Sequence, residues 1–296
     1  MQSLKYLPIF DNRFVHALFL RLRWRRKMGY QLPLAHPVTF NEKLQWLKLH
    51  DHNPLYTTMV DKVAAKDFVA ERIGAEYVIP TLAVYRSTDE IDLAALPQRF
   101  VMKCTHDSGG LVLCSDKSQL SPHAFDKLGK RLHKDFYYYS RYEWPYRHVP
   151  RRILCETYMT DSQGQLPFDY KFFCFGGKVR LFGIHFDRFA NHHANFYDPQ
   201  GNLLPFGKRK CPPDPNRAVT MPPELPQMIA IAERLSQGIP FVRIDLYDID
   251  GHIYFGECTF FPASGTGPFT DPEWDARLGQ WIKIDTESRR ADTQLP

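Results

Sequence analysis

Two acidic residues in the last quarter of the chain have the spacing of partners on a β-hairpin. Asp245 and Glu257 lie in two neighbouring runs in which apolar and polar residues alternate, a pattern typical of strands with one buried face. If both apolar sets lie on one side of the sheet, the two acids are directly opposite each other, with Cβ atoms about 4.5–5.5 Å apart. This register requires an odd-length connection near Asp250-Gly251, because an even one turns one strand over.

Carboxylates at that separation repel each other unless a cation lies between them. Mg²⁺ is typically held by one or two carboxylates together with the phosphate oxygens of a substrate. Thr259 lies on the same face and can add a neutral oxygen, so we predict a metal site formed by Asp245, Glu257 and Thr259. Arg243, also on that face, is the predicted catalytic residue, since it can neutralise negative charge in a transition state. The alternative is a solvated face on which Arg243 forms a salt bridge with either acid.

A second group of chemically useful residues follows a lysine in an apolar run. Lys103 lies in this run, where a charge is costly unless it is paired. The short polar turn after it has backbone N–H groups that could close over phosphates, and it includes Thr105, Ser108, Gly109 and Gly110. The order differs from that of a P-loop, in which the lysine follows the glycines. The alternative is an ordinary hairpin with a lysine whose ammonium reaches water.

The composition is that of a folded protein rather than a disordered or fibrous one. The chain has 296 residues and a mass of 34.6 kDa, which allows one large domain or a few small ones. A net charge of +5 suits an anionic substrate but is too small to indicate nucleic acid. The six cysteines include no CxxC pair, which favours reduced, buried thiols. No apolar run is long enough to span a membrane, and basic residues follow the first apolar segment instead of preceding it, so we expect a cytoplasmic protein.

The elements that position these residues change character along the chain. Residues 1–59 have helical periodicity, and Thr39 with Glu42 forms a capping-box pattern. One further helix is predicted from 55 to 73. Later runs rich in Val, Leu and Tyr predict strands, with a hairpin turn at Gly176-Gly177. Strands joined in hairpins and interspersed with helices predict an α+β fold with antiparallel sheets.

Taken in order, five stretches of the chain resemble the ATP-grasp ligases. They are residues 60–62, 101–110, 153–159, 169–188 and 243–265. The chain is closer still to one branch, the TupA-like proteins of teichuronopeptide and surface-polysaccharide biosynthesis. That closer resemblance lies at residues 40–49, 169–175, 254–260 and 262–265.

The resemblance implies an ATP-grasp fold, in which two α+β subdomains with antiparallel sheets grip ATP. The subdomains would span residues 60–150 and 151–286, after a short helical region at 1–59 and before a disordered tail at 287–296. Thr259 stands where many ATP-grasp enzymes have asparagine, so a second metal ion would be held more loosely.

The resemblance also implies roles for individual residues. The ATP-binding residues would be Lys62, Lys103, Thr105, Ser108, Gly109, Gly110, Glu156, Tyr158, Met159 and Asp169. Within this set the lysines neutralise phosphates, Glu156, Tyr158 and Met159 line the adenine slot, and Asp169 binds a ribose hydroxyl. The substrate-binding residues would be Lys171, Arg180, Arg188, Ser264 and Gly265.

The function that follows is an ATP- and Mg²⁺-dependent ligase that joins a carboxylate to an amine through an acyl phosphate. In surface-polysaccharide biosynthesis, the resemblance implies a uronic acid carboxylate and an amino acid or other amine as substrates. The alternative is a glycosyltransferase or phosphotransferase of capsule or O-antigen synthesis that uses the same cleft, but the only DxD triplet, at Asp248 and Asp250, lies in the predicted turn.

A third hypothesis is a non-catalytic scaffold that docks on a membrane or a lipid-linked glycan through the basic helix near the start of the chain. Residues 10–27 could lie on an anionic membrane at its cytoplasmic face, since each basic residue close to such a surface adds about 1 kcal/mol of attraction. The alternative is a helix that packs on the protein's own core and has a solvated basic end.

Overall fold

The computed structural model describes residues 12–121, 123–134, 136–186 and 192–285. Helices α1 to α8 are Arg13–Met28, Phe40–His50, Leu55–Val60, Ala64–Ile73, Asp126–Leu132, Phe136–Arg141, Leu225–Leu235 and Pro272–Trp281. Strands β1 to β9 are Thr81–Tyr85, Phe100–Cys104, Leu111–Cys114, Ile153–Thr157, Asp169–Phe175, Lys178–Phe186, His193–Tyr197, Phe241–Ile249 and His252–Thr259. The strands form two antiparallel sheets, so the predicted α+β class is confirmed.

The first sheet has the strand order β1-β4-β2-β3. One of its faces carries buried Met102 and Cys155, which pack with Leu128 and Leu132 of α5 in a small separate core. Strand β4 lies between β1 and β2 and is hydrogen-bonded to both. The predicted boundary at residue 151 therefore falls two residues before a strand that belongs to the first sheet.

The second sheet has the order β7-β6-β5-β8-β9 and contains the largest core. Its apolar face, with Phe172 and Ile244, is covered by α7, whose Ala232 carbonyl lies 3.7 Å from the Cys174 sulfur. On the opposite face Phe40 of α2 packs against three phenylalanine rings at one end of the sheet. The polar residues of the site lie at the other end of the same face. We call this whole face of the second sheet the polar face.

The helical region before the first sheet is anchored to both sheets. The predicted capping box is confirmed, since the Thr39 hydroxyl accepts from the Glu42 amide and the Glu42 carboxylate accepts from the Thr39 amide. The single helix predicted from 55 to 73 is wrong, because the chain turns between α3 and α4, where the Asp61 carboxylate accepts from the Val63 amide and pairs with Arg152 at 2.6 Å. This turn places Lys62 beside the loop between β2 and β3, where its ammonium donates to the Asp107 carbonyl.

The β8–β9 hairpin has the predicted partners but a different connection. Asp245 is opposite Glu257, as predicted. The connection is the two-residue turn Asp250-Gly251, so the expected odd-length connection is wrong. An extra residue in β9, Gly256, forms a bulge that restores the register, and it also moves Phe255 to the apolar face opposite Leu246. A Cβ atom on Gly256 would lie 3.0 Å from the Tyr247 ring and 3.1 Å from the Asp245 carbonyl, so a larger residue would have to displace these neighbours.

Candidate active site

Four side chains of the β8–β9 hairpin converge on the polar face. Arg243 donates to both Asp245 oxygens, from Nε and Nη2, at 2.6 Å each. Its Nη2 also donates to Glu257 Oε1 at 3.1 Å and to Thr259 Oγ1 at 3.0 Å. The salt bridge of the alternative hypothesis is therefore present, and it lies within the same cluster as the predicted metal ligands.

This cluster fits the donor set that Mg²⁺ prefers. Two carboxylates and one hydroxyl offer only oxygen atoms, and Glu257 and Thr259 lie next to each other, with Thr259 Oγ1 donating to Glu257 Oε1 at 3.3 Å. The Glu257 side chain is 38% exposed and is therefore accessible from the cleft, whereas that of Asp245 is 2% exposed. A cation here would replace Arg243 as the neighbour of one or both acids.

Strand β5 adds two charged residues to this cluster. Lys171 is opposite Asp245 in the sheet, and its ammonium lies 2.6 Å from Asp169 Oδ2 and 2.5 Å from Asp245 Oδ2. Both Asp169 and Lys171 are buried. The residues proposed for a ribose hydroxyl and for a substrate carboxylate are thus ion-paired with each other in this structure.

The pKa values of the two hairpin acids shift in opposite directions. Burial raises the pKa of Asp245 above its usual value, even though Arg243 and Lys171 oppose this shift. Burial also raises the pKa of Glu257, but Arg243, Lys62 and Lys171 outweigh it and lower that pKa below its usual value. Glu257 is therefore ionised at neutral pH, as a metal ligand must be.

A cleft between the two sheets adjoins this cluster. Its lining includes Lys62, Lys103 and Glu156 from one side and Phe255 and Glu257 from β9. The cleft encloses about 370 Å³ of atom-free space including its open mouth, and little of this space is wide enough for a water molecule. An adenosine group therefore requires the walls of this cleft to move apart.

Two lysines in the cleft share one carboxylate. Lys66 of α4 and Lys103 of β2 each lie 2.6 Å from an oxygen of Glu156 on β4. Together they outweigh the effect of burial and lower the pKa of Glu156. Lys66 was missed by the sequence analysis, although it follows Lys62 by four residues, the spacing of neighbours on one helix face.

The predicted phosphate loop lies beside Lys62. The Lys62 ammonium donates to the Asp107 carbonyl at 2.9 Å, and burial lowers the pKa of Lys62 while Glu257 and Asp107 oppose the shift. Lys62 therefore joins the loop to the β8–β9 hairpin electrostatically. Gly109 donates its amide to Asp107 Oδ1 at 3.1 Å.

The other loop residues have structural contacts. The Thr105 hydroxyl donates to the Pro150 carbonyl at 2.6 Å and accepts from the Arg152 amide at 3.1 Å, so it faces the segment before β4. Ser108 is hydrogen-bonded to the Tyr137 hydroxyl. Gly110 is required by close packing, because a Cβ atom there would lie 2.4 Å from the Cys104 sulfur.

The remaining predicted residues lie at three other places. Tyr158, just after β4, packs its ring against the Arg99 guanidinium at 4.6 Å, and neither Tyr158 nor Met159 is among the residues that line the cleft. Arg180 is exposed on β6. Arg188 lies outside the described residues.

Ser264 and Gly265 form a buried turn after β9. Ala263, Ser264 and Gly265 have φ values of 50°, 58° and 61°, in the left-handed region. Gln45 of α2 donates to the Ser264 and Gly265 carbonyls at 3.0 and 2.7 Å, and Lys48 donates to the Ser264 carbonyl and hydroxyl at 3.0 Å each. Hydrogen bonds from α2 thus hold this turn in place.

Solved structures similar to this chain are ligases of low sequence identity. One is D-alanine–D-alanine ligase from Bacillus anthracis complexed with ATP, at 14% identity and TM-score 0.40, with 69% of this chain and 54% of that chain covered. Another is L-amino acid ligase from Bacillus licheniformis, at 13% identity and TM-score 0.45, with 88% of this chain and 58% of that chain covered. The chain thus spans little more than half the length of these two ligases.

Membership of a family is shown by sequence. No curated protein matches this chain. A family model described as TupA-like ATPgrasp matches residues 42–283 and so includes both sheets, the cleft and the β8–β9 hairpin. The resemblance stated from the motifs is therefore confirmed, and the chain belongs to the TupA-like family of the ATP-grasp ligase superfamily.

Proposed function

We propose that this protein is an ATP- and Mg²⁺-dependent ligase that joins a uronic acid carboxylate to an amino acid or another amine in surface-polysaccharide biosynthesis. The observation that supports this best is the convergence of Asp245 and Glu257 across the β8–β9 hairpin, next to a cleft with three lysines. An oxygen-ligand cluster beside several cations suits a metal ion with a polyphosphate. The TupA-like family supplies the polysaccharide part of the proposal.

In this proposal the residues of the cleft bind the nucleotide. Lys62 and Lys103 neutralise its phosphates as point charges, and Glu156 holds Lys66 and Lys103 in the cleft. Asp245, Glu257 and Thr259 hold Mg²⁺, which supplies a Lewis acid for the phosphate oxygens. The cleft opens to admit adenosine and closes again over the phosphates.

Chemistry then proceeds in two displacements. An oxygen of the substrate carboxylate attacks the γ-phosphorus, and the bond to ADP breaks to leave an acyl phosphate. The amine nitrogen attacks the acyl carbon, and phosphate leaves while the amine loses a proton. Arg243 stabilises the oxyanion that forms in the second step, since its guanidinium already lies within the cluster.

The nucleotide products provide the test of this function. With ATP, Mg²⁺, a uronic-acid glycan and a pool of amines, we expect release of ADP and phosphate in equal amounts, with a mass increase of the glycan equal to the amine minus water. Ion chromatography and mass spectrometry measure both. Release of AMP, or no nucleotide turnover with any acceptor, would contradict the proposal. Tighter binding of a UDP-sugar than of ATP would favour the glycosyltransferase alternative.

We also propose a contact with anionic lipid at the cytoplasmic face of a membrane. No helix within the described ranges has the length and hydrophobicity of a membrane span. Helix α1 buries Leu20 and Trp24 against the protein, but Phe14, Leu18 and Leu22 are 82%, 56% and 63% exposed. These three residues recur every fourth position and so form one stripe.

Basic residues accompany this stripe. Arg21, Arg25 and Arg26 are exposed on the same helix, and helical geometry places them beside the apolar stripe. An exposed helix face that combines apolar and basic residues is typical of helices that lie in the headgroup region of anionic membranes. We therefore propose this α1 face as the membrane contact, while the opposite face packs on the protein's own core.

Liposome flotation tests the membrane contact. Replacing Phe14, Leu18 and Leu22 by serine is expected to lower recovery with vesicles that contain phosphatidylserine by about tenfold or more, because the apolar contribution scales with buried area. The matched control replaces exposed Leu166 and Leu203, which are 47% and 44% exposed, by serine. Equal recovery of wild type and the α1 variant would contradict the proposal.

A further inference from the structure

Lys208 lies over the polar face of the second sheet, on the segment between β7 and α7. Backbone contacts hold this segment against residues 269–270. Lys208 forms an isolated β-bridge with Phe269, and the Thr270 amide donates to the Gly207 carbonyl at 2.8 Å. The Lys208 ammonium lies 5.4 Å from the centroid of the Phe173 ring. Phe173 is opposite Arg243 in the sheet, so Lys208 is beside the cluster formed by Arg243, Asp245, Glu257 and Thr259.

The charge of Lys208 is not balanced by an acid. Within the described residues its ammonium has no ion pair or hydrogen bond, and its contacts are the rings of Phe173 and Phe269. Burial, followed by repulsion from Arg243, lowers its pKa to about 8, so it still carries its proton at neutral pH. Asp245, a carboxylate that attracts it, is already bound by Lys171 and Arg243.

A neighbouring cluster raises the alternative of a metal site. The ligating atoms of His185, His192 and Cys211 all lie within 4.8 Å of one another, and the two imidazoles are hydrogen-bonded at 2.8 Å. However, the charged groups that lower the pKa of His185, after burial itself, are cationic, namely Lys171, Arg243 and Lys208. Cationic groups around His185 favour an anionic ligand over a further cation.

We propose that Lys208 binds the carboxylate of the acceptor substrate, at the end of the polar face next to Arg243. This inference rests on the proposed function and names the residue that recognises its carboxylate. Of the earlier candidates, Lys171 is ion-paired with two acids and Arg180 is exposed on β6. Lys208 offers three hydrogen-bond donors beside the group that stabilises the oxyanion.

Binding measurements test this role without depending on turnover. The protein is saturated with Mg²⁺ and a non-hydrolysable ATP analogue and titrated calorimetrically with D-glucuronate. Lys208→Gln is expected to weaken glucuronate binding about tenfold or more, because it removes a charge-assisted hydrogen bond. Lys208→Arg should retain most of the affinity. Lys210→Gln, at an exposed neighbour, is the matched control and should bind glucuronate as the wild type does.

The outcomes separate this inference from the function on which it rests. Equal glucuronate affinity in wild type and Lys208→Gln would overturn the inference. A wild type that binds the ATP analogue but not glucuronate would overturn it as well, but the proposed nucleotide binding would then stand. If the binding of inorganic phosphate depends on Lys208 and the binding of glucuronate does not, the assignment of Lys208 to the carboxylate is wrong. A wild type that binds no ATP analogue contradicts the proposed function itself.

Discussion

Glu257→Gln is expected to lower turnover about 100-fold or more while the protein remains folded. Glutamine has the shape of glutamate but lacks the charge that binds Mg²⁺. Glu257 is ionised because Arg243, Lys62 and Lys171 lower its pKa against the effect of burial, so the substitution removes a full negative charge from the cluster. Its side chain is 38% exposed, so water can solvate the new amide.

The measurement is the rate of ADP release as a function of Mg²⁺ concentration, together with the thermal midpoint. We expect the variant to require more Mg²⁺ than the wild type and to unfold at a similar temperature. Glu71→Gln, at an exposed position of α4, is the matched control and should change neither quantity. Asp245→Asn is a poorer test, because Asp245 is buried between Lys171 and Arg243 and its loss also costs stability. Wild-type turnover of Glu257→Gln at low Mg²⁺ would show that this residue holds no metal.

The pairing of Asp245 with Glu257 could be predicted because apolar alternation determines which residues share a face. The length of the connection could not be predicted, because two features compensate each other. The turn at Asp250-Gly251 has an even number of residues, and Gly256 adds a bulge to β9. Glycine inside a strand pattern is the local signal of a bulge. Considering Gly256 as a bulge would have predicted both the two-residue turn and the inward position of Phe255.

The cationic residues of the site differ in how readily their positions can be predicted from the sequence. Lys66 could have been found from its spacing with Lys62. Lys208 lies in a segment rich in proline and basic residues that predicts a surface loop, and its position over Phe173 results from packing between residues far apart in the chain. Helix α8 was missed although Asp271 and Pro272 have the pattern of an N-cap and first helical residue, and the Asp271 carboxylate accepts from the Glu273 amide.

Lys48→Met is expected to destabilise the protein by about 3–5 kcal/mol, which lowers the thermal midpoint by roughly 6–20 °C. The Lys48 side chain is fully buried and donates to the carbonyls of Arg141 and Ser264 and to the Ser264 hydroxyl. Methionine has a similar length, so the substitution removes the donors without opening a large cavity. It removes three hydrogen bonds to buried acceptors and leaves buried Glu143 without one of its cations.

Loss of activity should accompany this loss of stability. Lys48 and Gln45 hold the left-handed turn at Ser264-Gly265, which begins three residues after Thr259, one of the proposed metal ligands. Without Lys48 the strained conformation of Ala263 and Ser264 loses a contact that opposes its relaxation. We therefore expect turnover to fall even at temperatures at which the variant is fully folded, as circular dichroism and ADP release measured side by side will show.

A second substitution distinguishes the charge of Lys48 from its hydrogen bonds. Burial raises the pKa of Glu143 and Lys48 opposes the shift, so the two groups are electrostatically coupled. Adding Glu143→Gln to Lys48→Met removes the carboxylate that has lost this cation, so the double variant should regain part of the lost stability. Additive losses of stability would show that the two residues are not coupled. Lys27→Met, at an exposed position of α1, is the control for removal of a positive charge. A Lys48→Met midpoint equal to that of Lys27→Met would contradict the view that α2 stabilises the turn through this lysine.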